Sequence, residues 1–108
     1  MPSRYASVFR PGLFAAQVAI VTGGGSGLGR CTAHELASLG ARVALIGRKP
    51  EKLDCVRAEI ASAGGEAHCY VCDIREEDAV MQTVSRVIAD LGRIDALVNN
   101  AGGQFAAP

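Results

Sequence analysis

No tryptophan occurs among the 108 residues, and aromatic residues make up only 5% of them. That is too few for a platform on which nucleic-acid bases could stack. Net charge is missing as well: eleven basic side chains offset eleven acidic ones, so no global field draws the chain to nucleic acid or to an anionic membrane. No apolar run approaches the ~18–20 residues needed to cross a bilayer. Arg4 and Arg10 precede the apolar stretch Leu13 to Val21, a superficial likeness to a secretion signal. That stretch runs straight into glycines and reads better as a first strand ending in a turn. Low-complexity segments are absent too. What remains is 49% hydrophobic and 20% charged, a globular balance for one small domain. A soluble, cytoplasmic protein is expected.

Cysteine is present but unsuited to a framework. Cys69 and Cys72 form one C-x-x-C, and no second pair, with Cys31 and Cys55 far apart, completes a four-ligand set. The pair lies in the apolar run from Ala67 to Cys72, which reads as a buried strand. Residues three apart on a strand point to opposite faces, so the two thiols could not converge on one metal. The four cysteines are read as buried small hydrophobes in a reducing compartment, with no metal site.

Two kinds of segment alternate along the chain. Gln17 to Val21, Arg42 to Ile46, Ala67 to Val71 and Ile94 to Val98 are short, nearly continuous apolar runs. Such runs fit strands buried on both faces of a parallel sheet. Between them lie helical patterns: Leu28, Thr32, Leu36 and Leu39; then Leu53, Val56 and Ile60 after Pro50; then Val80, Val84, Val87, Ile88 and Leu91. Gly40, Gly64 and Gly92 stand where these helices should stop. The order β-α-β-α-β-α-β builds a doubly wound α/β sheet by right-handed crossovers. Residues 1–12 are expected to form an arm and residues 13–108 the first portion of a Rossmann-type domain, whose remaining strands would lie beyond.

The strongest local signal is Thr22-Gly23-Gly24-Gly25-Ser26-Gly27-Leu28-Gly29, with five glycines in seven positions between a strand and a helix. Glycine lets the backbone turn sharply and approach a pyrophosphate closely. The helix opening there offers unpaired N–H groups and a positive dipole end. A P-loop would need a lysine and a hydroxyl where Gly29-Arg30-Cys31 stand. A methyltransferase would place an acid at the end of the second strand, where Gly47-Arg48-Lys49 stand instead. That same position separates cofactors: an acid holds the ribose 2′-hydroxyl of NAD, whereas an arginine accommodates the 2′-phosphate of NADP. Arg48 supplies a planar, permanently charged fork, and Gly47 leaves room beside it. NADP is therefore expected in preference to NAD.

T-G-x-x-x-G-x-G at Thr22 to Gly29 and N-N-A-G at Asn99 to Gly102 together resemble the short-chain dehydrogenase/reductase family, over almost the entire chain after Gly12. The resemblance implies a hydride-transferring oxidoreductase with a Rossmann fold. It implies cofactor contacts from Gly23, Gly25, Ser26, Gly27, Leu28, Gly29, Arg48, Asp73, Ile74, Asn100, Ala101 and Gly102. Asp73 is similar to the family's aspartate that contacts adenine, and Asn99 and Asn100 would brace the sheet and reach the ribose through the backbone. Asp73 with Glu76 also reads as a helix capping box. The family's catalytic serine and Tyr-x-x-x-Lys would lie beyond Pro108. Tyr5 in the arm and Tyr70 in a strand have no lysine four residues on, and His34 and His68 read as helix and strand residues, so no catalytic residue is assigned. The chain alone is expected to be inactive.

Asn99 to Phe105 is also similar to the enoyl-CoA and dienoyl-CoA reductase branch and to some bacterial alcohol-oxidising members, although Gly103-Gln104-Phe105 reads better as an ordinary loop. The resemblance implies a small-molecule substrate, a carbonyl, alcohol or activated alkene, and a homo-oligomer for the full-length protein. The alternative is a stand-alone, non-catalytic nucleotide-binding module.

Overall fold

A computed structural model describes residues 8–25 and 27–100. Four strands, β1 (Val18–Thr22), β2 (Arg42–Gly47), β3 (Glu66–Val71) and β4 (Ala96–Asn99), alternate with three helices, α1 (Gly27–Ser38), α2 (Pro50–Ser62) and α3 (Glu77–Leu91). All pairings are parallel, in the order β3-β2-β1-β4. After β3 the chain crosses back over β1 to place β4 on the other side. Right-handed crossovers run in opposite directions therefore land on opposite faces. Accordingly α1 and α2 pack on one face with Leu45, Val43 and Val21, and α3 packs on the other with Val18, Ile20, Ala44 and Ile46.

The expectation of two-sided burial holds for the inner strands and fails for the outer ones. Every residue of β1 is buried, and so are the four central residues of β2. In β3 only Tyr70 is fully buried, and no residue of β4 is. The difference follows from strand order: β3 and β4 each pair with a single neighbour, and three helices cannot cover both faces of both edges.

Two helix faces also differ from their sequence patterns. In α1 the buried line is Gly29, Ala33 and Ala37, and Leu28 is 76% exposed. Small residues at i, i+4 and i+8 let the helix axis approach the sheet, which a stripe of leucines would prevent. In α3 the buried line is Thr83, Val87 and Leu91, while Ile88 is half-exposed. Thr83 is tolerated inside because its hydroxyl donates to the Ala79 carbonyl at 2.8 Å.

Pro50 occupies the first turn of α2, where its missing N–H leaves no bond unmade. Gly92 ends α3 at φ +84°, with its N–H bonded to the Ile88 carbonyl. Cys69 packs with the α1/α2 cluster and Cys72 with the α3 cluster, on opposite faces of the sheet as their spacing requires. No helix among the described residues is long and apolar enough to cross a membrane.

Candidate cofactor-binding site

In a parallel sheet all strands end on the same rim, and in a doubly wound one ligands sit there, where the strand order reverses. β1 pairs with β2 on one side and β4 on the other, so the reversal falls at its C-terminal end. Gly23, Arg48, Asp73 and Asn100 follow the ends of β1, β2, β3 and β4 respectively. Four separate sequence positions are thereby brought to one rim.

The turn after β1 is wedged between its neighbours. Gly23 N–H donates to the Ile46 carbonyl at 2.8 Å, tying the turn to the end of β2. A Cβ at Gly29 would lie 2.1 Å from the Gly23 carbonyl oxygen and 2.9 Å from Asn100 Nδ2. No side chain fits at either distance, so the first turn of α1 can seat against the end of β1 only because Gly29 lacks one. At Gly25 a Cβ would lie 2.9 Å from Lys52 Cβ, so α2 also abuts the turn. The first turn of α1 contains no acidic residue, which leaves its positive dipole end available to an anion. Gly25 and Gly29 are thus required by the packing of α2 and α1 on the turn, and the turn with the acid-free start of α1 suits a pyrophosphate-containing group such as a nicotinamide dinucleotide.

Thr22 joins the two sides of the reversal. Its hydroxyl accepts the Asn100 N–H at 2.8 Å and lies 3.3 Å from the Val98 carbonyl and 3.2 Å from Asn99 Oδ1. The pattern of strand residues gave no warning of this bracket, because threonine reads simply as a β-former there. A second bracket sits at the opposite end of the same strand pair. Asp95 accepts the Val18 N–H at 2.8 Å, and its own N–H donates to the Val18 carbonyl. Hydrogen bonds from Arg93 and from Val18 hold the Asp95 carboxyl below the usual range.

Asp73 is not a helix cap. The N-cap of α3 is Glu76, which makes no side-chain capping bond. The Asp73 carboxylate instead turns back to Arg75, accepting its N–H at 3.0 Å and its guanidinium at 2.7 Å. These bonds, with a smaller contribution from the nearby Arg48 charge, push its pKa down to about 2. A capping box needs the acid to face the next turn's N–H groups, and Arg75 competes successfully for it. Ile74 is half-buried against the α3 cluster.

Arg48 is exposed and has no hydrogen bond or ion pair among the described residues. The room expected at Gly47 is taken by Leu53, whose Cδ2 would lie 3.2 Å from a Cβ there. Gly47 thus serves helix packing. Leu28 lies exposed at the mouth of the turn. Ser26, Ala101 and Gly102, also expected at the cofactor, lie outside the described residues, as do Tyr5 and Gly103 to Phe105.

Tyr70, His34 and His68 are engaged away from this rim. Tyr70 is buried beneath α3 and donates to Asp90 at 2.9 Å, with the Arg86 guanidinium 5.4 Å from its ring centre. Burial and the Asp90 carboxylate push its pKa up to about 12, the wrong direction for a proton-transferring phenol. His34 lies 2.9 Å from Glu59, which also pairs with Arg30, and His68 lies 2.6 Å from Glu66. These imidazoles belong to a helix pair and an edge strand, as residue pattern suggested.

The profile of the family described as "short chain dehydrogenase" matches residues 17–108. A probable 2,4-dienoyl-CoA reductase of Bacillus subtilis is 38% identical over 89 residues, 82% of this chain and 35% of that protein. Among solved structures, a citronellol catabolism dehydrogenase of Pseudomonas aeruginosa superposes with a TM-score of 0.87 at 59% identity, over 88% of this chain and 40% of that one. A metagenomic short-chain oxidoreductase in complex with NADP gives 0.82 at 49% identity, over 88% and 43%. An NAD+-bound xylitol dehydrogenase gives 0.82 at 43% identity, over 85% and 35%. The chain spans about a third of the length of the Bacillus relative. With its glycine turn, its strand order and a family match from the first strand onward, the chain belongs to the short-chain dehydrogenase family of oxidoreductases.

Proposed function

We propose that this chain is the NADP-holding portion of an oxidoreductase that moves hydride between NADP(H) and a carbonyl, alcohol or enoyl-CoA-type substrate. The observation that carries the cofactor assignment is Arg48, an exposed cation near Asp73 that makes no side-chain hydrogen bond or ion pair among the described residues, standing beyond β2 where NAD-dependent sites use an acid. The NADP complex of the metagenomic relative supports it. The NAD+ of the xylitol dehydrogenase marks the rival that the test below must separate.

In this reading Gly23, Gly25, Ser26, Gly27, Leu28 and Gly29 line the pyrophosphate, and Arg48 holds the 2′-phosphate. Asp73 and Ile74 border the adenine, and Asn100, Ala101 and Gly102 approach the ribose. Residues 13–108 form the cofactor-binding unit and residues 1–12 an arm. NADP(H), when bound, supplies or accepts the hydride. The chain's own task is to orient the cofactor, and no residue of the 108 is given the proton-transferring role. The name of the Bacillus relative and the Gly103-Gln104-Phe105 stretch support an enoyl-CoA substrate class. The free thiols of Cys31, Cys55, Cys69 and Cys72 suit a cytoplasmic setting, and the whole protein is proposed to be a homo-oligomer.

The test is Arg48→Asp in the intact protein, which replaces a phosphate-binding fork with a hydroxyl-binding carboxylate. The expected result is a reversed preference, NADH over NADPH, read from the two dissociation constants. An unchanged ratio would sink the cofactor assignment.

A further inference from the structure

Six of the ten basic side chains among the described residues are engaged. Arg30 pairs with Glu59, Arg57 with Asp54, Arg75 with Asp73 and Arg93 with Asp95. Arg42 donates to the Leu91 carbonyl and Arg86 lies over Tyr70. Among the described residues, the cations whose side chains make no hydrogen bond, ion pair or ring contact are Arg10 and three in one short stretch: Arg48, Lys49 and Lys52. All three are exposed. Glu51 is the one acid between Arg48 and Lys52, so the stretch keeps a positive excess.

The position of Lys52 is fixed by the backbone. A Cβ at Gly25 would lie 2.9 Å from Lys52 Cβ, 3.5 Å from its carbonyl carbon and 3.6 Å from the Leu53 nitrogen. The first turn of α2 therefore touches the glycine turn at this residue, and the lysine stem leaves the helix beside it. Leu53 fixes the same turn from below by packing against Gly47, one residue before Arg48. Arg48 in turn is close enough to Asp73 to help hold its proton off. Lys52 thus stands on the glycine-turn side of a rim whose other side is Arg48.

We propose that Lys52 is a second specificity-determining cation for the 2′-phosphate, reaching it across Gly25 while Arg48 holds it from the β2 side. The inference rests on the NADP reading above. A phosphate monoester carries up to two charges and three acceptor oxygens, more than one guanidinium satisfies. A lysine contributes a mobile point charge with three donors on a four-carbon stem, which complements the rigid fork of Arg48.

The experiment compares dissociation constants for NADPH and NADH in the intact wild-type protein and in Lys52→Gln, Lys52→Arg and Arg48→Gln. Lys52→Gln shortens the side chain by one atom, keeps it polar and removes its charge at an exposed site. It is expected to raise the NADPH constant about fivefold, the upper range for an exposed ion pair, and to leave NADH unchanged. Lys52→Arg should restore NADPH binding. If Lys52→Gln binds NADPH like wild type while Arg48→Gln binds it more weakly, the role of Lys52 is overturned and the NADP reading stands. If Lys52→Gln weakens both cofactors equally, the lysine serves the shared pyrophosphate, and the assignment to the 2′-phosphate is overturned. If wild type binds NADH as tightly as NADPH and Arg48→Gln alters neither, the NADP reading fails and this inference fails with it.

Discussion

Replacing Gly29 with alanine should damage the cofactor site more than it damages the fold. On helix propensity alone the change is favourable by about 1 kcal/mol, since glycine inside a helix loses backbone entropy on folding. The structure reverses that sign. The new Cβ would sit 2.1 Å from the Gly23 carbonyl oxygen and 2.7 Å from its carbon, and both are backbone atoms that cannot rotate away. Ordinary contact requires the start of α1 and the end of β1 to separate by about 1 Å. Overpacking of this kind costs about 1–3 kcal/mol, so the net loss of stability should be at most about 2 kcal/mol after the propensity gain. The functional loss should be larger. In the proposed reading the displaced segment supplies the N–H groups that face the pyrophosphate, and a shift of about 1 Å in a positioned group costs on the order of a hundredfold in rate. Gly64→Ala is the control: Gly64 has φ +91° with nothing within 4 Å of a Cβ, so it should cost about 1–2 kcal/mol of backbone strain and leave catalysis alone. Urea unfolding and kcat/KM for NADPH in the intact protein separate the two. Wild-type kcat/KM in Gly29→Ala would refute the reasoning.

Two further outcomes follow from the bonds at the rim. Thr22→Val keeps the shape of the side chain but leaves the Asn100 N–H without its 2.8 Å acceptor. Loss of that bond should cost about 1–3 kcal/mol in denaturant unfolding and should speed amide exchange at Asn100. Asp73 titrates at about 2 in the folded chain against an ordinary 3.8, chiefly because Arg75 donates to it. A depressed folded-state pKa contributes stability above the ordinary value that is lost as pH falls through the folded one. The stability of the protein should therefore decline between about pH 4 and pH 2. Asp73→Asn should flatten that part of the profile, by a modest amount because Arg75 is largely exposed and the pair is screened by solvent. An unchanged acid limb in the variant would show that the pair contributes nothing.

The order of elements and the glycine turn were legible in the sequence because both rest on strong local signals. Short apolar runs separated by helical periods specify crossovers, and glycines between a strand and a helix specify close backbone approach. What sequence concealed had a common origin in packing between elements. Gly29, Ala33 and Ala37 form the buried line of α1, yet small residues carry almost no hydropathy signal, and Leu28 drew attention to the exposed side. The exposure of β3 and β4 depends on which strand lies next to which, and apolar period is silent on that. Asp73 followed by Glu76 has the spacing of a capping box, but the competing arginine at position 75 takes the carboxylate. Lys52 occupies an unremarked first-turn position of α2, and only the approach of Gly25 to its Cβ brings it to the site.

The central claim is a cofactor site at the reversal of strand order that selects for a 2′-phosphate. The most direct measurement is the pair of dissociation constants of the intact wild-type protein for NADPH and NADH, at one stated ionic strength because exposed charges are screened by salt. The account predicts tighter binding of NADPH, with a preference that shrinks as salt is raised. Equal affinities, or tighter binding of NADH, would contradict it.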